Sequence, residues 1–212
     1  RDEVLLPGTG AAILDTEIFD PKTETWRVMA RQHNPRTYHN TAMLLPDGRV
    51  LVGGHSPINT GYLFSLDLSA LGLSPNQGRD PSFEIYSPPY MYAANRPRIT
   101  SAPNSASHGA TISVNTEGSN IKEVLLVKRT TLTHIIDGDQ RTVVLPHTGT
   151  NNLQVRLPSQ KGALPPGAYM LFVVSEDASG KRVPSVSVPF TVEGADNRAI
   201  GCNTATPRVA KR

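Results

Sequence analysis

Apolar and polar residues alternate with a period of two in nearly every patterned stretch of this chain, and nearly every interruption contains Gly, Pro, Asn or Asp. Successive side chains on a strand point to opposite faces, so this pattern belongs to half-buried β-structure. No long 3.6-residue pattern competes with it. Residues 63–73 have room for a turn or two of helix before Gly72, Pro75 and Gly78 stop it. The chain's 17 glycines and 18 prolines supply the turns, and an apolar content of 38% is enough for a packed core. The expected fold class is all-β.

Charge excludes one large class of partner. The tail 195–212 carries Arg198, Arg208, Lys211 and Arg212 against Asp196, so the formal net charge of +3 resides there and the rest is neutral. With no basic stripe on the body, nothing is laid out to meet a phosphate backbone, and a solvated, disordered tail is expected. The single cysteine, Cys202, lies in the same tail and has no partner for an internal disulfide. No apolar run approaches the ~20 residues of a membrane-spanning helix. The chain opens at Arg1 without an initiator Met, which reads as a piece of a longer protein.

The first 94 residues pair strands across short turns. Strands are expected at 16–19 and 26–29 around Asp20-Pro21, and at 41–45 and 49–52 around Pro46-Asp47-Gly48. In the second turn glycine supplies the left-handed conformation of a bulged hairpin. Gly53-Gly54 ends that hairpin, and 83–86 is a further strand before Pro88-Pro89. The order resembles a kelch-type repeat of about 50 residues. Only about one and a half blades are present, whereas a propeller typically needs 4–8. The resemblance therefore implies that the remaining blades lie upstream.

From Arg96-Pro97 the texture changes. Strands are expected at 110–114, 123–128, 142–145, 153–157, 169–175 and 185–192, rich in Val, Ile, Leu and Thr and separated by turns. Such spacing over residues 95–194 suggests an immunoglobulin-like β-sandwich. Leu164-Pro165-Pro166-Gly167 places a rigid turn ahead of the most apolar strand.

Three residues carry the chemistry. Tyr38 and His39 adjoin in Arg36-Thr37-Tyr38-His39, and His134 follows in Thr133-His134. A phenol with two imidazoles is an oxygen and nitrogen donor set that suits tetragonal Cu(II) better than Ca, Mg or structural Zn. Adjacent residues on a regular strand face opposite ways, so both donors reach one ion only where the chain bends, and Pro35 favours a bend there.

Seven signatures in order resemble the C-terminal portion of the galactose oxidase and glyoxal oxidase family of copper radical oxidases. They are Arg36-Thr37-Tyr38-His39, Leu44-Leu45-Pro46-Asp47-Gly48-Arg49-Val50, Gly53-Gly54, Glu84-Ile85-Tyr86-Ser87-Pro88-Pro89-Tyr90, Arg96-Pro97-Arg98-Ile99, Thr133-His134 with Asp139-Gln140-Arg141, and Pro166-Gly167-Ala168-Tyr169-Met170-Leu171-Phe172. The resemblance implies a kelch propeller followed by an early-set sandwich. It implies copper held by Tyr38, His39 and His134, with Tyr38 also the catalytic base. It makes Gln140 and Arg141, with Asp139, braces of the loop bearing His134. The implied reaction oxidises a primary alcohol or aldehyde by two electrons while O₂ becomes H₂O₂, in a secreted or cell-surface enzyme. The radical cofactor, a tyrosine cross-linked to cysteine, is implied upstream of this chain; Cys202 does not match it, and the fragment alone is expected to be inactive.

The alternative is a non-catalytic kelch and β-sandwich binding or cell-surface module with the same fold. A free-standing carbohydrate-binding sandwich is a weaker third reading. Of the remaining residues, Arg36 is expected to pair with backbone carbonyls and Trp26 to lie in a core. His33, His108 and His147 are expected to be exposed in turns, and His55 is a weak candidate beside the metal. Tyr86, Tyr90 and Tyr92 are expected to pack between the two domains.

Overall fold

The computed structural model of the 212-residue chain describes residues 14–21, 23–34, 36, 40–54, 82–133 and 136–194. Apart from one 3-10 turn at Pro89–Tyr92, its regular structure there is all strand. Alternation was a sound guide because half-buried sheet is what these residues build.

β1 (Asp15–Asp20) and β2 (Thr25–Arg31) form an antiparallel hairpin whose register sets Phe19 opposite Trp26. Their rings stack at 5.1 Å, tilted by 41°. Trp26 is nevertheless 67% exposed, which corrects the expectation that it lies in a core. A two-stranded ribbon offers the indole only a cross-strand neighbour and no second layer.

β3 (Thr41–Leu44), β4 (Val50–Gly53) and β5 (Phe83–Tyr86) form a second antiparallel sheet in that order. Pro46-Asp47-Gly48 turns β3 into β4, with Gly48 at φ +93° and its N–H donating to Leu45 O at 2.9 Å. Asp47 fixes the exit: its carboxylate accepts from Arg49 N at 3.0 Å and Arg49 Nε at 2.7 Å.

The remainder is a two-layer sandwich. One sheet runs in the order β13 (His147–Thr148), β14 (Asn152–Arg156), β8 (Thr111–Glu117), β6 (Arg98–Ser101). The other runs β12 (Thr142–Leu145), β9 (Ile121–Lys128), β15 (Gly167–Glu176), β17 (Val188–Val192), β7 (Ser105–Ala106), with β16 (Arg182–Pro184) also on β15. Register builds the core: Leu153 sits opposite Val114 and Val155 opposite Ile112 in one layer. Leu171 faces Leu126, Val173 faces Val124 and Tyr169 faces Phe190 in the other. All of these are buried, and each contributes about 1.5–3 kcal/mol by leaving water.

The Pro165-Pro166-Gly167 turn behaves as expected. Gly167 takes φ +136° and opens β15, buried from Tyr169 through Ser175. Tyr169 donates its hydroxyl back to Pro165 O at 2.6 Å, which stitches turn to strand. The strand expected at 185–192 begins only at Val188. Ser185 and Ser187 are diverted, one to the backbone of Val173 and the other to Pro46. His33 is exposed, but His108 and His147 are half-buried, against expectation. The ring Nε2 of His108 lies 2.7 Å from Leu164 O, a carbonyl that a turn histidine can satisfy without leaving the surface.

Candidate metal centre

Two anchored segments approach each other. On the first, Arg36 is almost fully buried and binds carbonyls, as its surroundings in the sequence suggest. Its Nη1 donates to Ser82 O at 3.0 Å and Gly54 O at 3.4 Å, while Nη2 donates to Ser82 Oγ at 3.2 Å and Glu84 Oε2 at 3.4 Å. Glu84 also accepts from His33 N at 2.6 Å. Partial burial pushes the Glu84 carboxyl upward, but the His33 and Asn34 backbone hydrogen bonds and the Arg36 charge outweigh it and leave the pKa lowered. His33, Asn34 and Arg36 are therefore stapled to Ser82 and Glu84, and Thr41 is paired with Gly53 on β4. Tyr38 and His39 fall between these anchors, outside the described residues.

The second segment is a small hairpin. β10 (Leu132–Thr133) and β11 (Ile136–Asp137) pair Thr133 with Ile136 and Leu132 with Asp137. His134, with Ile135, falls in the two-residue gap, also outside the described residues. Carboxylates brace the base of this hairpin. Asp137 Oδ1 accepts from Thr131 N at 2.9 Å and Asp139 N at 3.0 Å. Asp139 accepts from Lys128 Nζ at 2.9 Å and Thr131 Oγ1 at 3.0 Å. These two hydrogen bonds, with the Lys128 charge, hold the Asp139 carboxyl below its ordinary range.

Gln140 and Arg141 act differently. The Gln140 side chain is exposed, and its backbone N–H donates to Asp137 O at 3.3 Å. The Arg141 guanidinium turns away to Gly162 O at 2.9 Å and Ala163 O at 3.3 Å, which ties the hairpin to the loop ahead of β15. Lys128 and Thr131 were missed in the sequence. The only signal for them was two hydrogen-bonding side chains closely preceding a Thr-His pair.

The two segments meet where β10 lies against β3, with Cα atoms within 8 Å. β10, which ends just before His134, and β3, which starts two residues after His39, are thus neighbours. Among the described residues, the buried Arg36 Nε and Thr41 Oγ1, which flank positions 37–39, have no hydrogen-bond partner. Among the described residues, no group of three or more His, Cys, Asp or Glu side chains is placed to hold a metal ion. His55 and Cys202 also lie outside the described residues. Among those described, no helix is long and apolar enough to cross a membrane.

Among the described residues the chain is all-β, with a sandwich and an adjoining braced hairpin. Residues 96–192 match the family described as galactose oxidase-like, early set domain. The chain is homologous to galactose oxidase of Gibberella zeae, at 30% identity over 188 residues that cover 85% of this chain and 25% of that protein. It is likewise homologous to aldehyde oxidase GLOX1 of Arabidopsis thaliana, at 34% identity over 174 residues, 73% of this chain and 26% of that one. Among solved structures, a fungal alcohol oxidase of the AA5 family in complex with copper superposes with a TM-score of 0.68 at 25% identity. That match covers 85% of this chain and 36% of the other. The chain thus spans about a quarter of the length of the two sequence relatives.

Proposed function

We propose that this chain forms the copper-binding end of an oxidase that converts a primary alcohol, or the hydrate of an aldehyde, by two electrons while O₂ is reduced to H₂O₂. The observation that carries the reading is the placement of β10 against β3, which sets the segment ending at Thr133 beside the one resuming at Asn40. His39 and His134 supply imidazole nitrogens and Tyr38 supplies a phenol oxygen. Copper, when bound, supplies a one-electron acceptor and a Lewis acid for the substrate oxygen. Tyr38 accepts the substrate's hydroxyl proton at its phenol oxygen, which raises the electron density on the carbon that is oxidised. The Lys128, Thr131, Asp137 and Asp139 network holds the hairpin, and Arg36 holds the other segment, so both are set before substrate arrives. The second one-electron centre is a tyrosine joined to a cysteine, supplied from elsewhere in the full-length protein.

The domain reading follows the same logic. Residues 1–94 are the last blades of a kelch-type propeller, and 95–194 form the sandwich. The separate β1–β2 and β3–β4–β5 sheets, each with an outward apolar face, support it. The enzyme acts as a secreted or cell-surface protein. The names of the relatives, galactose oxidase, aldehyde oxidase and alcohol oxidase, support an alcohol or aldehyde substrate.

Copper titration of the full-length protein tests the reading. His134→Ala should weaken Cu(II) binding sharply, and unchanged affinity removes that residue from the metal. Tyr38→Phe should retain most of the copper yet lose most turnover. Normal turnover in that variant rejects the proton-acceptor role.

A further inference from the structure

The two ligand-bearing segments belong to different modules, so something must set the distance between them. Four stretches of the chain that the proposed site leaves unused converge on one joint. They are the Pro46-Asp47-Gly48 turn, Tyr90 after Pro88-Pro89, Arg96 ahead of β6, and the Ser185-Val186-Ser187 stretch ahead of β17.

The Arg96 guanidinium stands at the centre. Its Nε donates to Pro184 O at 2.7 Å, and Nη2 donates to Ser185 O at 2.9 Å and to Asp47 O. One side chain therefore ties the sandwich to the outer turn of the β3–β4 hairpin. Tyr90 donates its hydroxyl to Gly48 O. Ser187 gives both its backbone N–H, at 2.8 Å, and its hydroxyl, at 2.9 Å, to Pro46 O. All three carbonyls of the turn are thus taken by groups from beyond the hairpin. Glycine is required at position 48 on two counts, φ of +93° and proximity. A Cβ there would stand 3.0 Å from Arg96 Nη2 and 3.2 Å from the Tyr90 ring.

The joint leads onward to the hairpin of His134. Ser185, itself buried, accepts at Oγ from Val173 N at 3.1 Å and donates its N–H to Val173 O at 2.8 Å. Val173 pairs with Val124 on β9. β9 ends at Lys128, whose ammonium holds Asp139 beneath β10. A short run of hydrogen bonds thus joins the far end of the β3 hairpin to the strand from which the His134 hairpin extends.

We propose that Arg96 is a positioning residue for the metal site: by locking the Pro46–Gly48 turn to the sandwich, it sets the separation between β3, which follows Tyr38-His39 in the chain, and β10, which precedes His134. This rests on the copper reading above and adds the device that registers the two modules. A charge-assisted fork binding three carbonyls suits the role better than apolar contact, because it fixes angle as well as distance.

The test uses the full-length protein with Arg96→Ala and Arg96→Lys, followed by amide hydrogen exchange at Ser187, Cu(II) affinity and the Cu(II) EPR spectrum. Arg96→Ala should lower Ser187 protection and copper affinity by about tenfold each, the loss expected for one charge-assisted hydrogen bond. Its copper hyperfine splitting should shift, while core amides such as Leu126 stay protected. Arg96→Lys should recover part of both losses, which also guards against a misfolded alanine variant. Lost Ser187 protection with unchanged affinity and spectrum overturns the proposal, as does unchanged protection in Arg96→Ala. Wild-type protein that binds no copper, or His134→Ala that binds it normally, overturns the copper reading and the proposal with it. In that case the Ser187 amide still reports whether the joint itself exists.

Discussion

The sandwich and the strands before it obey the same alternation but bury it differently. Every large apolar side chain that is fully buried among the described residues lies between Ile112 and Val192. In the earlier strands the corresponding side chains face outward, with Phe19, Trp26, Val28, Phe83 and Ile85 between 40% and 67% exposed. The one almost fully buried large side chain there is a cation, Arg36. An alternating strand needs a second layer to bury its apolar face, and two-stranded or three-stranded sheets standing alone do not provide one. The sandwich supplies stability, whereas the earlier strands depend on polar staples to hold their shape.

This contrast predicts a graded response to substitution. Phe190→Ala, which removes a ring from the sealed core, should cost about 3–5 kcal/mol in denaturant unfolding. A cost below ~1 kcal/mol would mean that the sandwich is not the stability centre. Gly48→Ala puts alanine on a left-handed backbone and crowds Arg96, and should cost about 1–3 kcal/mol while leaving amide protection in the sandwich core unchanged. Full tolerance of alanine would show that the turn is not clamped.

Asp139→Asn should act through pH. The carboxyl is held below its ordinary 3.8, so its contribution is present above that pH and fades as pH falls through the lower, folded value. Wild type and variant should therefore differ near neutrality and converge in acid. A gap that persists once the carboxyl is protonated in both folded and unfolded protein would assign the effect to something other than charge. The smallest effect is expected at Trp26. Trp26→Ala in this chain should stay within about 0.5 kcal/mol, and a loss as large as that of Phe190→Ala would abolish the contrast.

Much of the fold was legible because alternation reports directly on half-buried sheet, and longer strands such as β9 and β15 carry enough residues to show it. Strands of two to four residues, among them β7, β10, β11, β13 and β16, are too short to display a period. They were found only through their partners in space. Trp26 was misread because a strand pattern shows which residues share a face, not whether anything covers that face. Of the proposed site, Arg36 was legible, since a buried cation beside a glycine-ended strand has carbonyls to satisfy. Lys128 and Thr131 were not, because a brace between residues on one local hub follows from hairpin geometry rather than from any motif. Arg96 and Ser187 lie far apart in sequence, and only the folded chain brings both to Pro46-Asp47-Gly48.

Pulsed EPR of the copper-loaded full-length protein addresses the shared metal most directly. Coupling to two imidazole nitrogens is predicted in the wild type, falling to one in His39→Ala and to one in His134→Ala. Retention of both couplings in His134→Ala would contradict the convergence of the two segments on a single copper ion.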